Sequence, residues 1–409
     1  MFTKSNLPVT DTKPVIVIAL TTALCLLGDS MLYIALPIYW REAGLASLWE
    51  VGLLLSANRL IRLPTHPLVG WFYSKIPLRT GLIIAVVLAA TTTTGYGLGK
   101  GLWAWLVLRC AWGMAWSLLR LGGLFAVVKY ANDNNRGHLM GTYNGLYRLG
   151  SLFGMLFGGI LTGIIGFKNV ALIFGVATCF GVPLIFFSIP QEQPIGSVTN
   201  KSTKTPVDWM SKGITRIILS GLLVALLIQG LLNSTLSLVV KHNFGSDVGL
   251  FGITLGAAAL AGLIQAARWT WEPFVAALIG RLSDGPKGRV PLLIFTLLWA
   301  ALIFSLVPLN LSIYLWLAVI TAIMLSATSL TTLVDSLASD IAKSASSISV
   351  LTVYQIAVDL GAALGPLLSY LVVALKHGFF YAYAGGSILF LVVAAIWRFP
   401  SQPKFTAAD

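Results

Sequence analysis

The chain has 409 residues, of which 57% are hydrophobic and 10% charged, and it carries a formal net charge of +13. Soluble domains average about 25% charged residues, so this composition excludes an ordinary soluble globule. A helix that crosses a bilayer needs roughly 20 apolar residues, and this chain has many runs of that length.

Twelve runs follow in chain order, at 14–39, 47–73, 80–99, 102–128, 138–166, 169–189, 214–240, 249–280, 289–307, 311–338, 348–375 and 379–397. The first is too long for a signal-peptide core and lacks a small-residue cleavage site, so it reads as a retained helix with Asp29 in its middle. The second carries Arg59 and Arg62. The fourth carries Arg109, Trp112, Trp116 and Arg120 at helical spacing, a stripe of cations and aromatics on one face. The seventh places Gln229, Asn233 and Ser237 in line, and the eighth Gln265, Arg268, Trp269 and Glu272. Between the sixth and seventh, residues 190–213 are rich in Pro, Ser, Thr and Lys and read as a flexible linker. The expected organisation is therefore a bundle over 1–189, a cytoplasmic linker over 190–213 and a second bundle over 214–409.

With both termini cytoplasmic, the inner loops and tails hold sixteen lysines and arginines, and the outer loops hold five: Arg41, Lys100, Lys168, Lys241 and Lys376. This asymmetry satisfies the positive-inside rule. The basic excess is thus a mark of topology, and no nucleic-acid partner is expected. The three cysteines lie in apolar runs without paired spacing, and no Cys or His cluster has metal-ligand spacing. Neither a metal nor a cofactor is expected, and no nucleophile–base set for a membrane enzyme is found.

The fifth run repeats in the eleventh. GTYNGLYRLGSLFGMLFGG at 141–159 aligns with VYQIAVDLGAALGP at 353–366 at an offset of 211, matching Tyr143 with Tyr354, Gly150 with Gly361 and Gly154 with Gly365. Gly150, Gly154 and Gly158 share one helix face, the pattern of close helix packing in membranes, as do Gly361 and Gly365 before Pro366. A second echo pairs residues 70–79 with 280–289, and a weaker one pairs Asp29-Ser30 with Asn233-Ser234 at an offset of 204. Internal duplication in an apolar chain is the mark of a secondary transporter.

The twelve-run, two-half layout with a basic central loop resembles the major facilitator superfamily. Gly280, Leu282, Ser283, Asp284, Gly288 and Arg289 look like its loop signature, Arg109 and Gly113 like its span-four signature, and Gly141, Gly150, Gly154, Gly158 and Gly159 like the span-five signature of its proton antiporters, with Met155 in place of a proline. The resemblance implies an all-α fold of two pseudo-symmetric six-helix bundles, alternating access, and a multi-pass monomer in the plasma membrane. It also implies a gating role for Asp284, Lys287 and Arg289, and ion pairs across the two halves between Arg62 and Asp359 and between Arg148 and Glu272. GDSMLYIALP at 28–37 together with RLGSLFGMLFGG at 148–159 is similar to exporters of opine-type metallophores (staphylopine-like).

A charge at mid-bilayer costs about 2.5–3.5 kcal/mol on insertion scales and needs a partner or a wet cavity. Six arginines, Arg59, Arg62, Arg109, Arg120, Arg148 and Arg268, face only Asp29, Glu272 and Asp359 at comparable depth. The surplus predicts an anionic or zwitterionic organic substrate, held by Arg59, Arg109, Arg120 and Arg268 with Trp112, Trp116, Trp269, Tyr143, Tyr354 and Asn233 around it. Asp29, Glu272 and Asp359 are the candidate proton carriers. A multidrug exporter and a lipid flippase remain open alternatives on the same fold.

Overall fold

The computed structural model describes residues 12–130, 136–191, 209, 211–283, 288–344 and 348–398. Ten helical stretches among them are long and apolar enough to cross a membrane. The two remaining expected crossings are the least regular. One is broken into α2 (Leu48–Leu60) and α3 (Arg62–Lys75), and the other, α11 (Ala257–Ser283), carries Gln265, Arg268, Glu272 and Pro273 in its middle.

The chain divides into two compact units, Met1–Leu32 with Ile61–Asn200, and Tyr33–Leu60 with Lys201–Asp409. One of these boundaries, between Asn200 and Lys201, lies within 190–213 and outside the described residues. The segment 33–60 was not foreseen as part of the second unit. One of its ends falls at the α2/α3 break, where Pro64 and Pro67 remove the amide donors that would bond the Leu60 and Leu63 carbonyls.

The first unit contains most of α1 (Lys13–Tyr39), then α3, α4 (Leu78–Leu98), α5 (Leu102–Tyr130), α6 (Arg136–Ile165), α7 (Phe167–Cys179) and α8 (Gly181–Ser188). Its core gathers Ile18, Leu82, Trp112, Leu119 and Tyr143. α6 lies against α1 along the glycine row: a Cβ on Gly150 would strike the Ala23 carbonyl, one on Gly154 would come 2.5 Å from the Leu27 carbonyl, and one on Gly158 would come 2.6 Å from Met31. Rows of period four on both helices interlock, as small residues in membranes allow. Ser151 also belongs to this seam, since Ser30 Oγ donates to Ser151 Oγ at 3.2 Å.

The second unit repeats this seam. It contains α2, α9 (Lys212–Ala225), a π-helical segment (Leu226–Leu232), α10 (Asn233–Phe244), a hairpin, α11, α12 (Arg289–Leu306), α13 (Ile313–Ser344), α14 (Ile348–Val373) and α15 (Gly378–Arg398). A Cβ on Gly361 would strike the Leu222 carbonyl, and one on Gly365 would come 2.5 Å from the Leu226 carbonyl. Ala23 and Leu222, like Leu27 and Leu226, are 199 residues apart, so packing matches the first and seventh crossings at 199. The echo read at 204, Asp29 with Asn233, is corrected by more than a helical turn.

The eighth crossing begins later than the expected residue 249. Asp247–Leu250 and Ile253–Gly256 pair as an antiparallel hairpin with Leu250 opposite Ile253. Its two-residue loop has Phe251 at φ 49° and Gly252 at φ 78°, the doubly positive geometry whose twist suits a hairpin.

Candidate functional site

Asp29 of α1 forms an ion pair with Arg109 of α5 at 2.5 Å, the Arg109 side chain wholly buried and the Asp29 side chain 8% exposed. Arg109 Nη1 also lies 3.4 Å from the Tyr96 hydroxyl, and Tyr96 stacks on Trp105 with centroids 5.1 Å apart. The mid-helix acid and the span-four arginine are therefore partners within the first unit. Trp112, one turn along α5, is sealed in the apolar core.

Further along the same helix a second group assembles. Arg120 Nη1 donates to Asn144 Oδ1 at 2.9 Å, and its guanidinium lies 5.6 Å from the Tyr143 ring and 5.2 Å from the Tyr147 ring. Trp116 meets Tyr147 edge-on at 5.8 Å and carries the Arg62 guanidinium 5.2 Å from its ring. Two cations and three aromatic rings thus form one continuous cluster drawn from α3, α5 and α6. Arg148, on α6, is exposed.

In the second unit Arg59 Nε donates to the Tyr33 hydroxyl at 3.1 Å and Nη1 to Gln229 Oε1 at 3.2 Å. Gln229 lies in the π-helical segment, a form that is rare and frequent at functional sites. Just beyond it, Asn233 Oδ1 accepts from Gln265 Nε2 at 3.1 Å and from Arg268 Nη1 at 3.0 Å. Arg268 Nε is 3.9 Å from Glu272 Oε2 on the same helix, and its guanidinium is 5.8 Å from the Trp269 ring. Tyr354 donates to Asp335 Oδ1 at 2.6 Å. Gln355 Nε2 is 3.5 Å from Asp359 Oδ1.

The expected site residues divide between the units. Asp29, Arg62, Arg109, Trp112, Trp116, Arg120, Tyr143 and Arg148 belong to the first, and Arg59, Asn233, Arg268, Trp269, Glu272, Tyr354 and Asp359 to the second. Of the expected gating residues, Asp284 and Lys287 lie outside the described residues, while Arg289 pairs with Asp340 at 3.3 Å. Reading the sequence missed Tyr33, Tyr96 and Tyr147 as site residues. Tyr33 had a legible signal, since it sits four residues after Asp29 on the same helix.

The Major Facilitator Superfamily model matches residues 18–272, more than half of the chain. Among curated proteins, an uncharacterised MFS-type transporter, YcaD, of Salmonella arizonae is 22% identical over 280 residues, covering 67% of this chain and 68% of that protein. YcaD of Salmonella newport matches to the same extent. Among solved structures, a bacterial homologue of the human lysosomal transporter Spinster, inward-facing and occupied, superposes with a TM-score of 0.72 at 16% identity, covering 94% of this chain and 95% of that one. Its inward-facing, unoccupied form gives 0.72 at 15% identity, covering 96% and 97%. The chain belongs to the Major Facilitator Superfamily and is a multi-pass membrane transporter, not an enzyme.

Proposed function

We propose that the protein is a proton-coupled exporter of a small anionic or zwitterionic organic solute, of which an opine-type metallophore is one candidate. It works by alternating access in the plasma membrane as a monomer with both termini cytoplasmic, built from the halves 1–189 and 214–409. The observation that carries this reading is the buried Asp29–Arg109 pair. Removing one partner from a buried pair leaves an uncompensated charge at a cost of about 3–5 kcal/mol. Protonation of Asp29 therefore has to be matched by a rearrangement around Arg109. In this reading the rearrangement closes the anion's own site, so that proton and substrate occupy the protein in turn, as an antiporter requires. Glu272 beside Arg268 and Asp359 beside Gln355 are secondary proton carriers in this reading.

The anionic preference rests on Arg120. Its partners are an amide and two phenol rings, all neutral, so its charge suits a carboxylate or phosphate ligand. Arg62, Trp116, Tyr143 and Tyr147 complete a cradle for the body of the molecule. Arg59, Asn233, Arg268, Trp269 and Tyr354 supply the corresponding polar groups of the second unit, and Asp284, Lys287 and Arg289 a cytoplasmic gate.

The test uses proteoliposomes. Asp29→Asn should abolish proton-gradient-driven uptake of a carboxylate substrate while sparing substrate–substrate exchange. Equal loss of both would overturn proton coupling through Asp29. Transport of lipophilic cations, or scrambling of labelled phospholipid, with no response to any carboxylate would replace the anion reading with a multidrug exporter or a flippase.

A further inference from the structure

The face of the first unit between α4, α5 and the α7–α8 pair carries a groove of about 510 Å³. Its floor is made by small residues, Ala90, Thr94 and Gly95, and its rim by Val87, Leu98 and Leu108. Val87 is 49% and Leu98 62% exposed, so the groove opens toward the acyl chains of the membrane. From Val87 to Leu98 it follows α4 for three turns, roughly 16 Å at 1.5 Å per residue.

One end of this groove is positively charged against the trend of the molecule. Only five cations are expected on the outer side, and two of them, Lys100 and Lys168, stand on segments that border this end. A Cβ on Gly97 would come 2.8 Å from the Lys168 carbonyl, so the start of α7 is pressed against the last turn of α4, and Lys100 lies two residues beyond the end of α4, after the extended Gly99. Lys100 and Lys168 are both exposed. Residues 80–108 and 166–188 contain no Asp or Glu to neutralise them. Trp103, 79% exposed, stands at the same end, as aromatic side chains do at headgroup depth.

We propose that this groove holds one anionic phospholipid of the outer leaflet, an acyl chain lying along Ala90, Thr94 and Gly95 and the phosphate lying between Lys100 and Lys168. The lipid is a bound partner of the first unit and not cargo, so the site stands whatever the transported solute is.

Native mass spectrometry of the full chain, released from nanodiscs with equal phosphatidylglycerol and phosphatidylcholine, tests this. The expected result is one retained lipid with about thirtyfold preference for phosphatidylglycerol, the scale set by two lysines at a membrane surface. Lys100→Ala with Lys168→Ala should keep one lipid and lose the preference. Thr91→Phe, at an exposed rim position whose hydroxyl bonds only its own helix, should fill the groove and lose the lipid while eluting as a monodisperse protein. Equal retention of the two lipids by the unmodified chain, or unchanged binding in both variants, would overturn the proposal. Should Thr91→Phe fail to fold, the paired lysine variant alone decides.

Discussion

Arg109 and Asp29, 80 residues apart in sequence, form the buried ion pair of the first unit, with Tyr96 as a further hydrogen-bond partner of the guanidinium. The two groups are worth more together than either is alone, because each is removed from water only in the presence of the other. Arg109→Gln should destabilise the protein by about 3–5 kcal/mol, since it leaves the Asp29 carboxylate buried without its cation. The double variant Asp29→Asn with Arg109→Gln should recover most of that loss. Thermal unfolding of the four proteins of this cycle in detergent reads the coupling, and additive effects would count against it.

The glycine seam gives a sharper steric prediction. Gly150→Ala and Gly361→Ala would each drive a methyl group into a backbone carbonyl of the facing helix, and overpacking of this kind costs about 1–3 kcal/mol. Gly141 has no neighbour within 4 Å of a built Cβ. Gly141→Ala should therefore be neutral or stabilising by up to about 1 kcal/mol, the helix-propensity difference. Melting temperatures of the three variants should separate the first two from the third.

The same seam shows what could be read from the chain and what could not. Gly150, Gly154, Gly361 and Gly365 announced close packing because a period of four is a local property of one helix. The facing residues, Ala23 and Leu27 or Leu222 and Leu226, carry no such mark, so the register of the first crossing against the seventh was misjudged. The crossings with the highest hydropathy were legible, whereas the break at Ile61 depended on how Pro64 and Pro67 act in context. The hairpin at 247–256 was hidden inside an apolar stretch, its turn needing a positive φ at Phe251 that sequence does not advertise. The site was legible as a set of charged residues and not as pairs: Asp29 and Arg109 were both singled out, but nothing local links them.

Arg120 separates recognition from stability. Its partners Asn144, Tyr143 and Tyr147 are neutral and it is half-buried, so removing its charge strands no carboxylate. Arg120→Ala should leave the melting temperature within a few degrees of the parent and lower carboxylate transport at least about tenfold, one charge-assisted contact being worth about 1.5–3 kcal/mol. Arg120→Lys should recover only part, because an ammonium cannot reproduce the planar fork. A transport assay paired with a melting curve checks both halves of the statement.

Asn233 tests whether the second unit's polar group is held by acceptance alone. Its side-chain oxygen takes hydrogen bonds from Gln265 and Arg268, all three residues being buried. Asn233→Leu is close in volume but offers no acceptor, leaving one neutral and one charged donor unsatisfied at about 1–3 kcal/mol each. Asn233→Asp keeps an oxygen in place and adds a negative charge beside the Arg268 guanidinium, which already has Glu272 at 3.9 Å. The leucine variant should thus be destabilised by about 2–6 kcal/mol and the aspartate variant by less than about 1 kcal/mol. Thermal unfolding of the two variants against the parent measures the difference. A leucine variant as stable as the aspartate one would mean that water or a rotated side chain satisfies the donors equally well.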